Sequence, residues 1–164
     1  MNVDKRIVYT GGLAAALLVG WIFFSGSPEK AIDRQLRVLT EIVQKEAAVS
    51  QFGALSRSRK LAEIFTENAL VEYMPRESLP RGSDAMRSGF LSVWGQIEKA
   101  SIRISRHEIE VSSSETEAIS TFSATCKVVL RGTSQMADTV NYRAYWVKQN
   151  DDWLVDRIIA ESTD

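Results

Sequence analysis

Apolar positions follow three different rules along the chain, and each rule predicts a different kind of element. From Ile7 to Ser25 (IVYTGGLAAALLVGWIFFS) none of the nineteen residues carries a charge. At a helical rise of about 1.5 Å per residue this run covers roughly 28 Å, the hydrocarbon thickness of a bilayer. Tyr9 at one end and Trp21, Phe23 and Phe24 near the other stand where aromatic residues anchor a span at the lipid interface. Lys5 and Arg6 precede the run, with Asp4 beside them, and favour a cytoplasmic N-terminus. The expected organisation is a short cytoplasmic tail at 1–6, a transmembrane helix at 7–25 and a soluble domain at 28–164, periplasmic or otherwise extracytoplasmic. A cleaved signal peptide and a buried core helix are the competing readings. Signal peptides have apolar regions of about 7–15 residues followed by a small-x-small site. Here the run is longer, and Ser25-Gly26-Ser27 is followed by Pro28, which disfavours cleavage. Within the run Gly12, Ala16 and Gly20 recur every four residues on one face. That spacing lets two helix backbones approach closely in lipid, so these three are the candidate helix-packing residues.

Past the run the apolar period becomes helical. Ser27-Pro28-Glu29 reads as N-cap, first helical position and first-turn acid. Ile32, Leu36, Leu39 and Val43 then form one stripe, and the pattern breaks near Ser50 to Gly53. A second helix carries Leu55, Leu61, Ala62, Ile64 and Phe65 and ends around Thr66 to Asn68. Its Arg57, Arg59 and Lys60 read as a solvated face. A short strand from Ala69 to Met74 leads into a loop with Pro75, Pro80 and Gly82, and Asp84 to Gly95 reads as a third helix.

From Ile97 onward the period is two. Ile102 and Ile104 alternate in one phase, Ile109 and Val111 in the other, which predicts a β-bulge between them and a bent sheet. Ala118, Phe122, Ala124, Cys126, Val128 and Leu130 make the apolar face of a second long strand. Val140 to Val147 and Trp153 to Ala160 supply two more, joined through Gln149-Asn150-Asp151-Asp152. Helices first and a bent antiparallel sheet last is an α+β layout.

Composition narrows the function classes. Hydrophobic residues are 45% and charged residues 25%, as in folded chains, so wholesale disorder is excluded. Lys plus Arg is 20 against 21 Asp plus Glu, and nucleic-acid binding by bulk charge has no basic surplus to draw on. One cysteine excludes an intramolecular disulfide, and one cysteine with one histidine excludes a zinc site built from those two types alone. No cofactor is expected.

Leu61 to Tyr73 (LAEIFTENALVEY) with Gly82 to Phe90 (GSDAMRSGF) resembles the helix-strand-helix core of nuclear transport factor 2-like domains. Tyr145 to Ile159 is similar to that family's last hairpin. The resemblance implies a cone of helices on a bent sheet over 28–164, a fold that hosts isomerases, dehydratases, carriers and scaffolds alike. Ketosteroid-isomerase-like members place a general-base aspartate where Tyr73 stands here, with Glu72 adjacent but on the opposite strand face. They add an acid on the penultimate strand, and Val140 to Val147 contains none. Dehydratase-like members use histidine and aspartate pairs, and the single histidine here is His107. Both departures argue against isomerase chemistry of that type. Cys126 reads as a buried, inert thiol, and Asp138 and Asp156 as acids without an evident partner. Tyr73, His107, Tyr142 and Trp146 are the residues expected to line a pocket or an interface.

Two function classes follow. The first is a membrane-anchored, non-catalytic assembly or binding subunit, with the bilayer and other transmembrane subunits, or a second copy, as partners. Its layout is similar to the inner-membrane scaffold of type IV secretion systems, although the six-residue tail is too short for a cytoplasmic domain. The second is an anchored isomerase, lyase or hydrophobic-ligand carrier that uses the cone pocket.

Overall fold

The computed structural model describes residues 26–46 and 50–161. The 7–25 run, with Gly12, Ala16 and Gly20, lies outside them, and so does the expected anchor. Among the described residues no helix is long and apolar enough to cross a membrane.

Helix α1 (Pro28–Val43) begins as its sequence predicts, with Ser27 Oγ accepting from Lys30 N at 3.5 Å. It buries Ile32, Leu36 and Ile42, while Leu39 and Val43 of the expected stripe are half-buried. Helix α2 (Gln51–Glu63) is capped in the same way, Ser50 Oγ accepting from Gly53 N at 3.1 Å. The chain continues as β1 (Phe65–Met74), the two-residue β2 (Glu77–Ser78), α3 (Ser83–Trp94), β3 (Ile97–Val111), β4 (Glu117–Leu130), β5 (Gln135–Gln149) and β6 (Asp152–Glu161). The strands form one sheet in the order β2-β1-β6-β5-β4-β3.

The sheet departs from expectation in one pairing. β1 and β6 run parallel, while their neighbours pair antiparallel. This pairing also moves a boundary: α2 stops at Glu63, and β1 starts at Phe65 rather than Ala69. Val155 N donates to Ile64 O at 2.8 Å, so pairing with β6 captures residues that a helical period claims. Tertiary pairing overrides local preference there.

The phase slip in β3 is a bulge. The β3–β4 register shifts between Ser105 and Glu108, and Arg106 sits at φ 51. Ile104 faces Ala124 on one side of the shift, and Ile109 faces Ser120 on the other. The extra residue returns Ile109 and Val111 to the face that carries Ile102 and Ile104, and the strand bends. The last hairpin turns through Asn150 and Asp151 at φ 50 and 69, the two left-handed positions of a type I′ connection.

Two cations close the C-terminal ends of α1 and α3. Arg57 Nη1 donates to the carbonyls of Glu41, Ile42 and Gln44 at 3.1, 2.9 and 2.7 Å, satisfying the open C-terminus of α1. Lys45 Nζ does the same for α3, donating to Trp94 O at 3.0 Å and Ile97 O at 2.5 Å. Both cations lie against the Trp94 ring, 4.8 Å from its centroid for Lys45 Nζ and 5.5 Å for Arg57 Cζ. Arg57 is therefore a helix clamp rather than part of a solvated face. Burial, followed by the charges of Arg131 and Arg57, pushes the Lys45 ammonium below its ordinary value.

Gly82 precedes α3 at φ 101, and a Cβ there would lie 2.8 Å from Glu67 O. Gly132 has φ 75 but nothing within 4 Å of such a Cβ. Gly82→Ala is expected to lower stability by more than about 1 kcal/mol, and by more than Gly132→Ala, because only the first adds a clash to the backbone strain. Urea midpoints of the two variants check this.

Candidate functional site

The bent sheet does not close fully on its helices. Between them lies a cavity of about 460 Å³, within the roughly 300–1,000 Å³ range of small-molecule sites. Leu36, Leu39, Thr40 and Val43 of α1 form one wall, and Met86, Gly89, Phe90, Ser92 and Val93 of α3 another. Ile102 and Ile104 of β3, Phe122, Ala124 and Cys126 of β4, Tyr142 of β5 and Ile158 of β6 form the sheet side. Strand alternation explains this: cross-strand partners such as Ile102 and Cys126, Ile104 and Ala124, and Phe122 and Tyr142 share the concave face. Small side chains at Ala124 and Gly89 leave the space open. Tyr73, Ser92 and Val93 are exposed and mark the mouth.

The lining is almost wholly apolar, and its hydroxyl hydrogens are already engaged. Tyr142 Oη donates to Tyr73 O at 2.9 Å, and Tyr73 Oη donates to Glu77 Oε2 at 2.9 Å. Thr40 Oγ1 donates to Arg37 O, and Ser92 Oγ to Gly89 O, each at 2.7 Å. Burial, and secondarily the Asp138 carboxylate, raises the Cys126 thiol, which stays protonated and a weak nucleophile. Burial likewise pushes the Tyr142 phenol up to about 12, with Cys126 and Asp138 adding to it. The accepted hydrogen bond and the charge of Glu77 hold Tyr73 above its ordinary value. Among the described lining residues there is no Asp, Glu or His.

The four residues expected at a pocket are not brought together. Tyr73 and Tyr142 line the cavity at its mouth and sheet side. Trp146 does not line it: it is 1% exposed, its Nε1 donates to Ser120 Oγ at 2.8 Å, and it borders a separate pocket of about 520 Å³ with Val111, Tyr145 and Asp156. His107 lies beyond the cavity wall, where the bulge sets it against Phe122 with ring centroids 6.1 Å apart. It lines an adjoining cleft of about 350 Å³ with Asp33, Arg37 and Thr40. His107 Nδ1 stands 3.3 Å from Asp33 Oδ1, and Nε2 is buried without a partner. Arg37 also binds Asp33; its hydrogen bond is the main cause holding that carboxyl below its usual range, and His107 adds to it. Sequence reasoning left Asp33 on a polar helix face, since nothing local ties α1 to the bulge of β3. It also passed over Thr40 and Gly89, whose only signal was their place beside the apolar stripes.

The two further acids are separated. Asp156 Oδ1 accepts from Thr66 Oγ1 at 3.0 Å. The penultimate strand reaches back to Gln135, which places Asp138 directly across from Cys126. An acid thus does stand on that strand, but exposed at its outer part. Among the described residues no group of three or more His, Cys, Asp and Glu is placed to hold a metal ion.

Helices over the concave face of a six-stranded bent sheet match the sequence pattern of one family from residue 34 to 159. The chain belongs to the SnoaL-like domain family. Solved structures agree on this SnoaL-like fold. A candidate scytalone dehydratase from Novosphingobium aromaticivorans is similar at 20% identity and a TM-score of 0.68, over 83% of this chain and 84% of that one. A hexachlorocyclohexane dehydrochlorinase (LinA, type 2) is similar at 12% identity and a TM-score of 0.66, over 81% and 83%. A candidate dehydratase of the NTF2-like family from Streptomyces avermitilis is similar at 8% identity and a TM-score of 0.65, over 84% and 98%. At these identities the likeness is one of fold, and it bears out the resemblance to nuclear transport factor 2-like domains. No curated protein matches the chain.

The raised Tyr142 phenol has a consequence for stability. It ionises near pH 10 when unfolded and near 12 when folded, so its neutral form favours the folded state. Its contribution is complete below pH 10 and is lost as pH rises toward about 12. Alkaline unfolding curves should show this loss in the wild type, and Tyr142→Phe should flatten it.

Proposed function

We propose that this SnoaL-like domain binds a small apolar molecule inside its cone and performs no carboxylate-based acid-base chemistry on it. One observation carries the reading: a cavity of about 460 Å³ whose described lining is almost wholly apolar and whose hydroxyl groups are bonded within the protein. A general base must reach the proton it abstracts with its lone pair free. None of the described lining residues is a carboxylate or an imidazole, the side chains that accept a proton near neutral pH. The dehydratase and dehydrochlorinase relatives support a small-molecule site in this fold, while their identities leave the chemistry to each chain. A hollow cone favours a ligand over the assembly subunit expected from the sequence, which a filled cone would have favoured. The tether is part of the proposal: the uncharged run at 7–25 holds the domain at a bilayer, where apolar molecules concentrate.

A second reading, an enzyme that transfers a proton, draws on the Asp33–His107 pair. A carboxylate that orients an imidazole with its other nitrogen unpartnered is an arrangement used by general bases. Conversion of the bound molecule that stops in His107→Gln, with binding retained, would favour it.

Cys126 is the chain's single cysteine and lines the cavity, so its alkylation rate reports occupancy. Nile red, which is neutral, is expected to bind and to slow that alkylation. Gly89→Trp should abolish both effects, since Gly89 lines the cavity and a Cβ there meets nothing within 4 Å. Equal binding by wild type and Gly89→Trp would count against the site. Retention of the full chain in membranes washed with alkaline carbonate checks the tether; release into the wash would remove it.

A further inference from the structure

We infer that the molecule held in the cone is a neutral alcohol or phenol, and that the cavity discriminates against carboxylates and ethers of the same shape. This rests on the ligand-binding reading and follows from where the hydroxyl hydrogens of the lining go. A hydroxyl has one hydrogen to donate and two lone pairs to offer. Tyr142 gives its hydrogen to Tyr73 O and Tyr73 gives its own to Glu77 Oε2, each at 2.9 Å. Thr40 gives its hydrogen to Arg37 O and Ser92 to Gly89 O, each at 2.7 Å. What these four groups still offer an incoming molecule is oxygen lone pairs. Among the described lining residues the remaining side-chain donor is the Cys126 thiol, and a thiol is a weak one.

The matching ligand has a donor of its own. An ether or ketone oxygen placed against these lone pairs finds no hydrogen and loses its bond to water without replacement. A carboxylate fares worse, because its charge would enter an apolar cavity with no cation among the described lining residues. Two carboxylates add repulsion: Glu77 holds the Tyr73 hydroxyl at the mouth, and Asp138 stands across from Cys126. The order of preference is therefore alcohol, then ether, then acid, at equal carbon skeleton.

Three naphthalene derivatives separate these terms: 2-naphthol, 2-methoxynaphthalene and 2-naphthoate at pH 7. The readout is protection of Cys126 from alkylation in the full chain in lipid nanodiscs, plotted against free ligand measured by dialysis. The naphthol is expected to protect at a concentration at least about fivefold below the methyl ether, the value of one hydrogen bond, and more than about a hundredfold below the naphthoate. Glu77→Ala, at an exposed position, releases the Tyr73 hydroxyl hydrogen and should bring the naphthol-to-ether ratio toward one. Equal protection by the ether or the naphthoate in the wild type, or an unchanged ratio in Glu77→Ala, overturns the inference while Nile red still binds. Failure of all three together with Nile red overturns the binding reading itself.

Discussion

A strand fifteen residues long cannot stay straight and keep one apolar face against a curved core, and β3 resolves this with a single extra residue. Between Ser105 and Glu108 two residues stand where the partner strand has one, and Arg106 takes a left-handed backbone to make room. The strand bends there, and its side-chain phase advances by one. Ile102 and Ile104 on one side and Ile109 and Val111 on the other thus share a face, although their spacing in the chain is odd. β4 and β5 follow the bend through their continuous ladders, and the sheet becomes a cone. Without the bulge, half of β3 would turn its isoleucines to water.

The cone is finished unequally at its two ends. Near the bulge Trp146 is bonded to Ser120, and Val155 and Ala144 are fully buried. Toward the other end small residues on facing elements leave a void that native packing would otherwise fill. The rim of that void is held by long-range polar contacts. Arg57 and Lys45 supply the hydrogens that the ends of α1 and α3 lack, and both rest on Trp94. These bonds fix the helices that wall the cavity without drawing on its apolar surface. An open apolar cavity lowers packing energy in the empty protein, and a ligand recovers part of that loss.

The chemistry of the site follows from satisfaction rather than from strained or charged groups. His107 and Asp33 form a carboxylate–imidazole pair between α1 and β3. The pair lies in the cleft that adjoins the cavity and shares Leu36, Thr40, Ile102 and Ile104 with it. Inside the cavity hydroxyls point their hydrogens at carbonyls and one carboxylate, and the thiol stays neutral. Such a lining sorts ligands by polarity and shape.

Local signals in the chain were enough for much of the fold. Serines at 27 and 50 cap their helices because their oxygens take the first free N–H groups. The slip between Ile104 and Ile109 announced the bulge because strand side chains alternate strictly, and Asn150-Asp151 announced its turn because asparagine and aspartate tolerate a positive φ. The start of β1 was not legible, since Phe65 to Asn68 are extended only by pairing with a strand that lies far along the chain. Nor was the site. Trp146 and Tyr142 look alike in sequence, yet strand register buries one beside Ser120 and opens the other to the cavity. Asp33 meets His107 only because the bulge turns the imidazole toward α1. Period and capping are properties of a few neighbouring residues, whereas a cavity is the space that distant elements leave between them, and only their packing decides its shape and its chemistry.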